Sequence, residues 1–260
     1  MGGVNIIRYK LVDRYLGVIF GMDISSMTPG ECRVAKSAWR LQREQSYGFV
    51  HALFGVCLSD DRTAISVTPG AEEVIRELLA HSKLNFEDGL DNNLLKCIED
   101  IVKKAREQMG LPPSAKVSES LIFACNSRPI LHNKTKKCIR LFDETVAPAE
   151  SLSLPVHCFP DGIVYGFVED RRVVSVAYAH RSGIMEDQVV DIGVETAEGY
   201  RRKGYAKTVV SAVTAHMVQA GGQALYACSP RNFASIATAR SVGYELYGRR
   251  IHVPAPALDV

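Results

Sequence analysis

Asp191-Ile-Gly-Val-Glu-Thr-Ala-Glu-Gly-Tyr-Arg-Arg-Lys-Gly-Tyr-Ala-Lys207 is the stretch on which the fold turns. Its opening continues the apolar run that begins at Val189 and predicts a strand over Val189 to Val194, running on to Thr196. Three consecutive cations follow, Arg201, Arg202 and Lys203, and then Gly204. From there Ala206, Val209, Val210, Val213 and Met217 recur at helical spacing until Gly221-Gly222, which predicts a helix over about Gly204 to Ala220. The first turn of a helix has unpaired N–H groups and a partial positive charge, so it attracts phosphate. Small residues at 204 and 206 allow close approach to the backbone, and the neighbouring cations add charge-assisted contacts. The stretch reads as a phosphate cradle at the end of a strand.

Outward from it, Ile163 to Val168 and Val173 to Ala179 flank Glu169-Asp170-Arg171-Arg172, a hairpin with a polar turn. Leu225 to Cys228 reads as a strand, Asn232 to Ser241 as a short helix and Tyr244 to Val253 as a last strand. Alternation of strands and helices is an α/β layout. Two familiar phosphate loops do not fit. Gly199 and Gly204 have the glycine separation of a Walker A loop, but Lys207-Thr208 arrive two positions late, and no G-x-G-x-x-G is present.

The remaining match is R-x-x-G-x-A at Arg201, Gly204 and Ala206, followed by Asn232-x-x-Ser235 and Gly243-Tyr244. With these motifs the segment from about Ile163 to Tyr247 resembles the GNAT N-acetyltransferase superfamily. Val194 to Ala206 is closer still to a bacterial subgroup that includes the zwittermicin A resistance acetyltransferase. The resemblance implies a mixed sheet flanked by helices, with acetyl-CoA as cosubstrate and no metal. It implies coenzyme contacts from the Val189–Thr196 strand (Ile192, Val194, Thr196), from the loop and first helical turn (Arg201, Arg202, Lys203, Gly204, Tyr205, Ala206, Lys207), and from Asn232 and Ser235. It also implies direct acyl transfer to an amine, which needs a base for the amine and a donor for the oxyanion.

Glu195, just past the strand, is the candidate base, because a carboxylate in a partly closed cleft can be raised toward neutrality. The Val194 backbone amide is the candidate oxyanion donor, and His180 and Glu186 are further candidates for the base. Many members of the family carry a tyrosine seven residues after the Asn, where it protonates the departing thiolate; Ala239 stands there in this chain. Tyr205, Tyr226 and Tyr244 are alternatives that nothing in the sequence aims. A non-catalytic acyl-CoA sensor is the second reading. Cys228 reads as a buried small hydrophobe, and Lys134, Lys136, Lys137 and Arg140 as a solvated strand edge.

The first half reads as mostly helical, with a short hairpin. Arg33 to Arg43 holds Val34, Ala38, Trp39 and Leu41 as an amphipathic turn set, and Phe49 to Leu58 and Thr63 to Val67 are strand-like. Val74, Ile75, Leu78 and Leu79 share a helical face. Asp91 can cap a second helix, in which Leu94, Leu95, Ile98, Ile101, Val102 and Ala105 form a stripe ended by Gly110. The expected division is 1–115, a helical or mixed domain of open role, and 116–260, the acyl-CoA-binding domain.

Composition bounds the rest. The 260 residues are 47% hydrophobic and 23% charged, with a net charge of +2. These values are those of a globular chain and argue against a nucleic-acid or membrane partner. Seven scattered cysteines without a CxxC pair, and charges within the first apolar stretch, lead to the expectation of a cytoplasmic protein with reduced thiols. The expected partner is a small-molecule amine; a homodimer is left open.

Overall fold

The computed structural model describes residues 10–41, 49–58, 61–80, 91–114, 116–125, 129–130, 137–159, 162–180, 185 and 187–256. In chain order the elements are α1 (Lys10–Phe20), β1 (Cys32–Lys36), β2 (Phe49–Leu58), β3 (Thr63–Val67), α2 (Glu72–Ala80), α3 (Asn92–Gln108), β4 (Ser118–Cys125), β5 (Cys138–Leu141), β6 (Val164–Glu169), β7 (Arg172–His180), β8 (Val189–Thr196), α4 (Tyr205–Gln219), β9 (Gln223–Cys228), α5 (Phe233–Val242) and β10 (Glu245–Pro256). The chain divides into two units, residues 1–122 together with 246–260, and residues 123–245. The architecture is mixed α/β, with sheets flanked by helices. No described helix is long and apolar enough to cross a membrane.

In the first unit β1 pairs parallel with β3, β2 antiparallel with β3, and β10 antiparallel with β2. The β10 register shifts between Val253 and Pro254, where proline withholds a backbone donor from the ladder. The Asp91 carboxylate caps α3 by accepting from the Asn93 N–H at 2.9 Å. Leu94, Ile98, Val102 and Ala105 of α3 pack with Ile75 and Leu79 of α2 onto Ile65, Val67, Ile251 and Val253 of the strands. Val74, expected on the same face of α2, is exposed instead.

The amphipathic turn set expected over Arg33 to Arg43 does not form a helix in its described part, residues 33–41. Cys32–Lys36 is a strand and Ala38–Leu41 a single 3₁₀ turn. Four apolar residues at helical spacing are a weak signal, and pairing along the whole of β3, from Cys32↔Thr63 to Lys36↔Val67, outweighs it. Among the described residues of 1–115, α1 to α3 still hold 37 against 20 in β1 to β3. The side chain of Trp39 lies outside the described residues, as do Lys134, Lys136 and Glu186.

In the second unit the order β9-β8-β7-β6-β5 is parallel at β8/β9 and antiparallel elsewhere. The β6–β7 hairpin turns through Asp170 and Arg171, both at positive φ (49° and 61°), which matches the right-handed twist of the strands it joins. Helix α4 packs on β6, β7 and β8 with Val209, Val210, Val213 and Met217 buried.

Candidate active site

Strands β8 and β9 start as neighbours and then part. Their register runs from Val189↔Gln223 to Asp191↔Leu225, while β8 continues to Thr196 and β9 to Cys228. On its other side β8 stays paired with β7 as far as Thr196↔Ser175. The Ala197 N–H donates to the Val174 carbonyl at 2.9 Å, and the Glu195 carbonyl accepts from the Ser175 hydroxyl at 3.1 Å, so both point toward β7. Backbone direction alternates along a strand, so the amides of Val194 and Thr196 and the carbonyl of Ile192 point the other way, into the gap beyond the last paired residues Asp191 and Leu225. Consistent with this, the Thr196 carbonyl accepts from Arg201 Nε at 3.3 Å.

The gap leads to the N-terminus of α4. Arg202 and Gly204 both have positive φ, 64° and 84°, and Gly204 is the left-handed cap that turns the loop into the helix. A Cβ on Gly204 would stand 3.0 Å from Lys207 Cε, against the cleft lining. The Thr208 N–H is the one that closes onto the Gly204 carbonyl, at 3.3 Å, which leaves the amides of Tyr205, Ala206 and Lys207 ahead of the helical hydrogen-bond pattern. No acidic residue lies in this turn. Its positive end is reinforced by Arg201, Arg202, Lys203 and Lys207. Lys203 Nζ lies 4.9 Å from the centre of the Tyr200 ring.

These residues line a cleft of about 890 Å³. Val194, Glu195, Thr196, Arg201, Arg202, Lys203, Gly204, Tyr205, Ala206, Lys207, Asn232 and Ser235 are all on its wall. Ile192 is not, since its side chain is buried at 7% exposure and only its backbone is placed toward the gap. Asn232 caps α5, its side-chain oxygen accepting from the Ser235 N–H at 3.1 Å. Glu195 is exposed on the β8 face that also carries Gly193, opposite Val176 and Tyr178 of β7. His180 ends β7 opposite Asp191 and is not part of the cleft wall.

The tyrosines separate by environment. Tyr205 is stacked on Phe167, ring centres 4.1 Å apart, and its hydroxyl donates to Glu169. That bond, with a smaller contribution from burial, pushes the phenol up to about 12. Tyr244 is enclosed and shares a 2.7 Å hydrogen bond with the Thr214 hydroxyl. Tyr226 is on the cleft wall, and its hydroxyl donates to Ser235 Oγ at 3.3 Å. Ala239 is 0% exposed, with its carbonyl accepting from the Tyr244 N–H. The sequence offered Tyr226 only as one of three tyrosines that nothing aimed, and it did not point to Tyr200, Thr238 and Ser241, which are also on the wall. The alternation of Ala224, Tyr226 and Cys228 on β9 was the available signal for Tyr226, had the strand been started at Gln223.

Residues 156–249 match the family model for GNAT acetyltransferase. No curated protein sequence matches the chain. Among solved structures, an acetyltransferase of the GNAT family from Novosphingobium aromaticivorans is similar at 18% identity and a TM-score of 0.45, covering 56% of this chain and 70% of its own. An acetyltransferase of the GNAT family from Colwellia psychrerythraea is similar at 17% and 0.39, covering 55% and 58%. A GCN5-related N-acetyltransferase from Kribbella flavida is similar at 16% and 0.41, covering 65% and 77%. The family match is thus one of residues 156–249, 94 of the 260 in the chain.

Proposed function

We propose that this acetyltransferase uses acetyl-CoA to acetylate a primary amine of a small molecule by direct attack, within the subgroup that Val194 to Ala206 resembles. The observation that carries the reading is the parting of β8 from β9 directly in front of a helix N-terminus ringed by four cations. One wall supplies strand amides and the other supplies phosphate-binding groups, which suits a ligand with an amide arm and a pyrophosphate. A volume of about 890 Å³ falls in the range of a cofactor-sized pocket.

In this reading the N–H groups of Tyr205, Ala206 and Lys207 hold the pyrophosphate together with Arg201, Arg202, Lys203 and Lys207. The backbones of Ile192, Val194 and Thr196 pair with the amides of the pantetheine arm. Asn232 and Ser235 bound the far side. Acetyl-CoA supplies an acyl group already activated as a thioester. Glu195 accepts the proton of the incoming amine, and the Val194 N–H faces the negative charge that develops on the carbonyl oxygen.

Titration calorimetry of acetyl-CoA against the wild type and Gly204→Glu tests the reading. Wild type should bind in the micromolar range, about −8 kcal/mol, and the folded variant should show no binding. Absence of heat with the wild type, for acetyl-CoA and longer acyl-CoAs alike, would sink it.

A further inference from the structure

We propose that the Tyr226 hydroxyl is the proton donor to the sulfur that leaves during acyl transfer, taking over from the position occupied by Ala239. This rests on the function proposed above.

Its place in the fold is the first argument. Leu225 is the last β9 residue in register with β8, so Tyr226 is the first residue beyond the point where the two strands part. It is on the cleft wall with Val194, Glu195 and Ser235. The amide arm of the ligand runs along β8 in the proposed reading, and its thioester end comes to this apex. The alternatives are spent elsewhere. Tyr205 is engaged by Glu169 and stacked on Phe167, and Tyr244 is enclosed against Thr214. Tyr200 is in the basic loop beside Arg201, at the phosphate end. Tyr178 faces Gly193 and is not on the cleft wall. Position 239 is closed, since its alanine is 0% exposed.

The chemistry of the hydroxyl is the second argument. Tyr226 is 2% exposed, so bulk water does not compete for the group it faces. Burial raises its phenol above the ordinary value, outweighing the Ser235 bond that lowers it, so the group carries its proton throughout the neutral range. The Ser235 hydroxyl, 3.3 Å away, both accepts this proton at rest and can return one afterwards. In the step, the amine nitrogen bonds to the acyl carbon and gives its proton to Glu195, and the carbon–sulfur bond breaks. Tyr226 protonates the departing sulfur, and the phenolate regains a proton through Ser235 from water. One proton is taken from the amine side and one is delivered to sulfur.

The test compares wild type with Tyr226→Phe in two readouts. The first is the affinity for CoA relative to desulfo-CoA, by calorimetry. The preference for CoA should fall about 2- to 10-fold in the variant, the worth of one hydrogen bond. The second is turnover with acetyl-CoA over a panel of spermidine, ethanolamine, glucosamine, kanamycin and lysine. There kcat should fall about 100-fold, the low end for a lost general acid because a thiolate leaves tolerably unaided. A 3-fluorotyrosine at 226 keeps shape and proton and should hold turnover within about threefold, which separates chemistry from misfolding. A folded phenylalanine variant with wild-type turnover overturns the proposal, whatever its CoA preference, as does a fluorotyrosine variant as slow as phenylalanine. A wild type that binds no CoA and acetylates none of the amines instead overturns the function on which the proposal stands.

Discussion

The ring of Tyr178 occupies the space that a side chain at Gly193 would need: a Cβ built on that glycine would stand 2.3 Å from Tyr178 Cζ. The two residues are cross-strand partners on β7 and β8, just where β8 leaves β9. Glycine here is a matter of room, and it lets a half-buried aromatic ring lie flat against the strand. His157 meets the same ring edge-on, with centres 6.0 Å apart. Gly193→Ala should therefore destabilise the protein by about 1–3 kcal/mol. Thermal unfolding of the single variant and of Gly193→Ala with Tyr178→Ala checks it, since removing the ring should recover most of the loss.

Asn232 has two duties that separate by substitution. Its side chain caps α5 through the Ser235 N–H, and it lines the cleft. Asn232→Asp keeps a capping oxygen and adds negative charge beside the expected phosphate path. It should hold the melting temperature but weaken acetyl-CoA binding. Asn232→Ala should lose about 1 kcal/mol of stability as well. Calorimetric binding and thermal melts of the pair distinguish the two effects.

A buried ionic group anchors the first unit. The Tyr247 hydroxyl donates to Asp13, and Arg62 Nη1 is 3.5 Å from the other carboxylate oxygen, with side chains 7% and 2% exposed. Arg62 Nη1 also donates to the Ile24 carbonyl at 3.0 Å. Removing the carboxylate alone, as in Asp13→Ala, takes away the charge opposite Arg62 and should cost about 3–5 kcal/mol. Asp13→Leu combined with Arg62→Met should cost less than Asp13→Ala, as measured by urea denaturation in a double-mutant cycle.

Acid sensitivity should arise in part at His216. Burial first, and then the Arg140 charge, hold its imidazole below the ordinary 6.5. As pH falls the unfolded chain takes up this proton before the folded one does. The contribution of His216 is therefore intact above 6.5 and is lost as pH falls from there through the lower folded value. Nδ1 lies 3.3 Å from the Tyr165 hydroxyl, a contact that glutamine can replace. His216→Gln should flatten the decline in melting temperature between about pH 7 and 5.

The second unit was the more legible in sequence, and the reason is local. Its strands and helices are each marked by their own punctuation: Asp170-Arg171 at the hairpin, Gly204 at the start of α4, Gly221 after it, Asn232 and Gly243 around α5. The cleft wall followed from the same marks, because it consists of a strand end and two helix starts. β1 was not legible because its pairing partner lies about thirty residues away at β3, and its own five residues carry no alternation of burial. The place of Tyr226 at the parting of β8 and β9 was hidden for a related reason, since where two strands stop pairing is a property of the sheet. The domain division into 1–115 and 116–260 is drawn along the chain, whereas the compact units take β10 from Leu246 onward together with the first 122 residues.

That last arrangement has a consequence for how the protein is made. The first unit is discontinuous: β2 leaves the ribosome well before β10, which completes the sheet against it. Residues 123–245 are contiguous and can fold as soon as they emerge. The unit of residues 123–245 is thus free to fold before the first unit is complete, while β2 waits with an open edge. During that interval the apolar run Val50 to Leu58 has one unpaired edge that can take up the wrong strand.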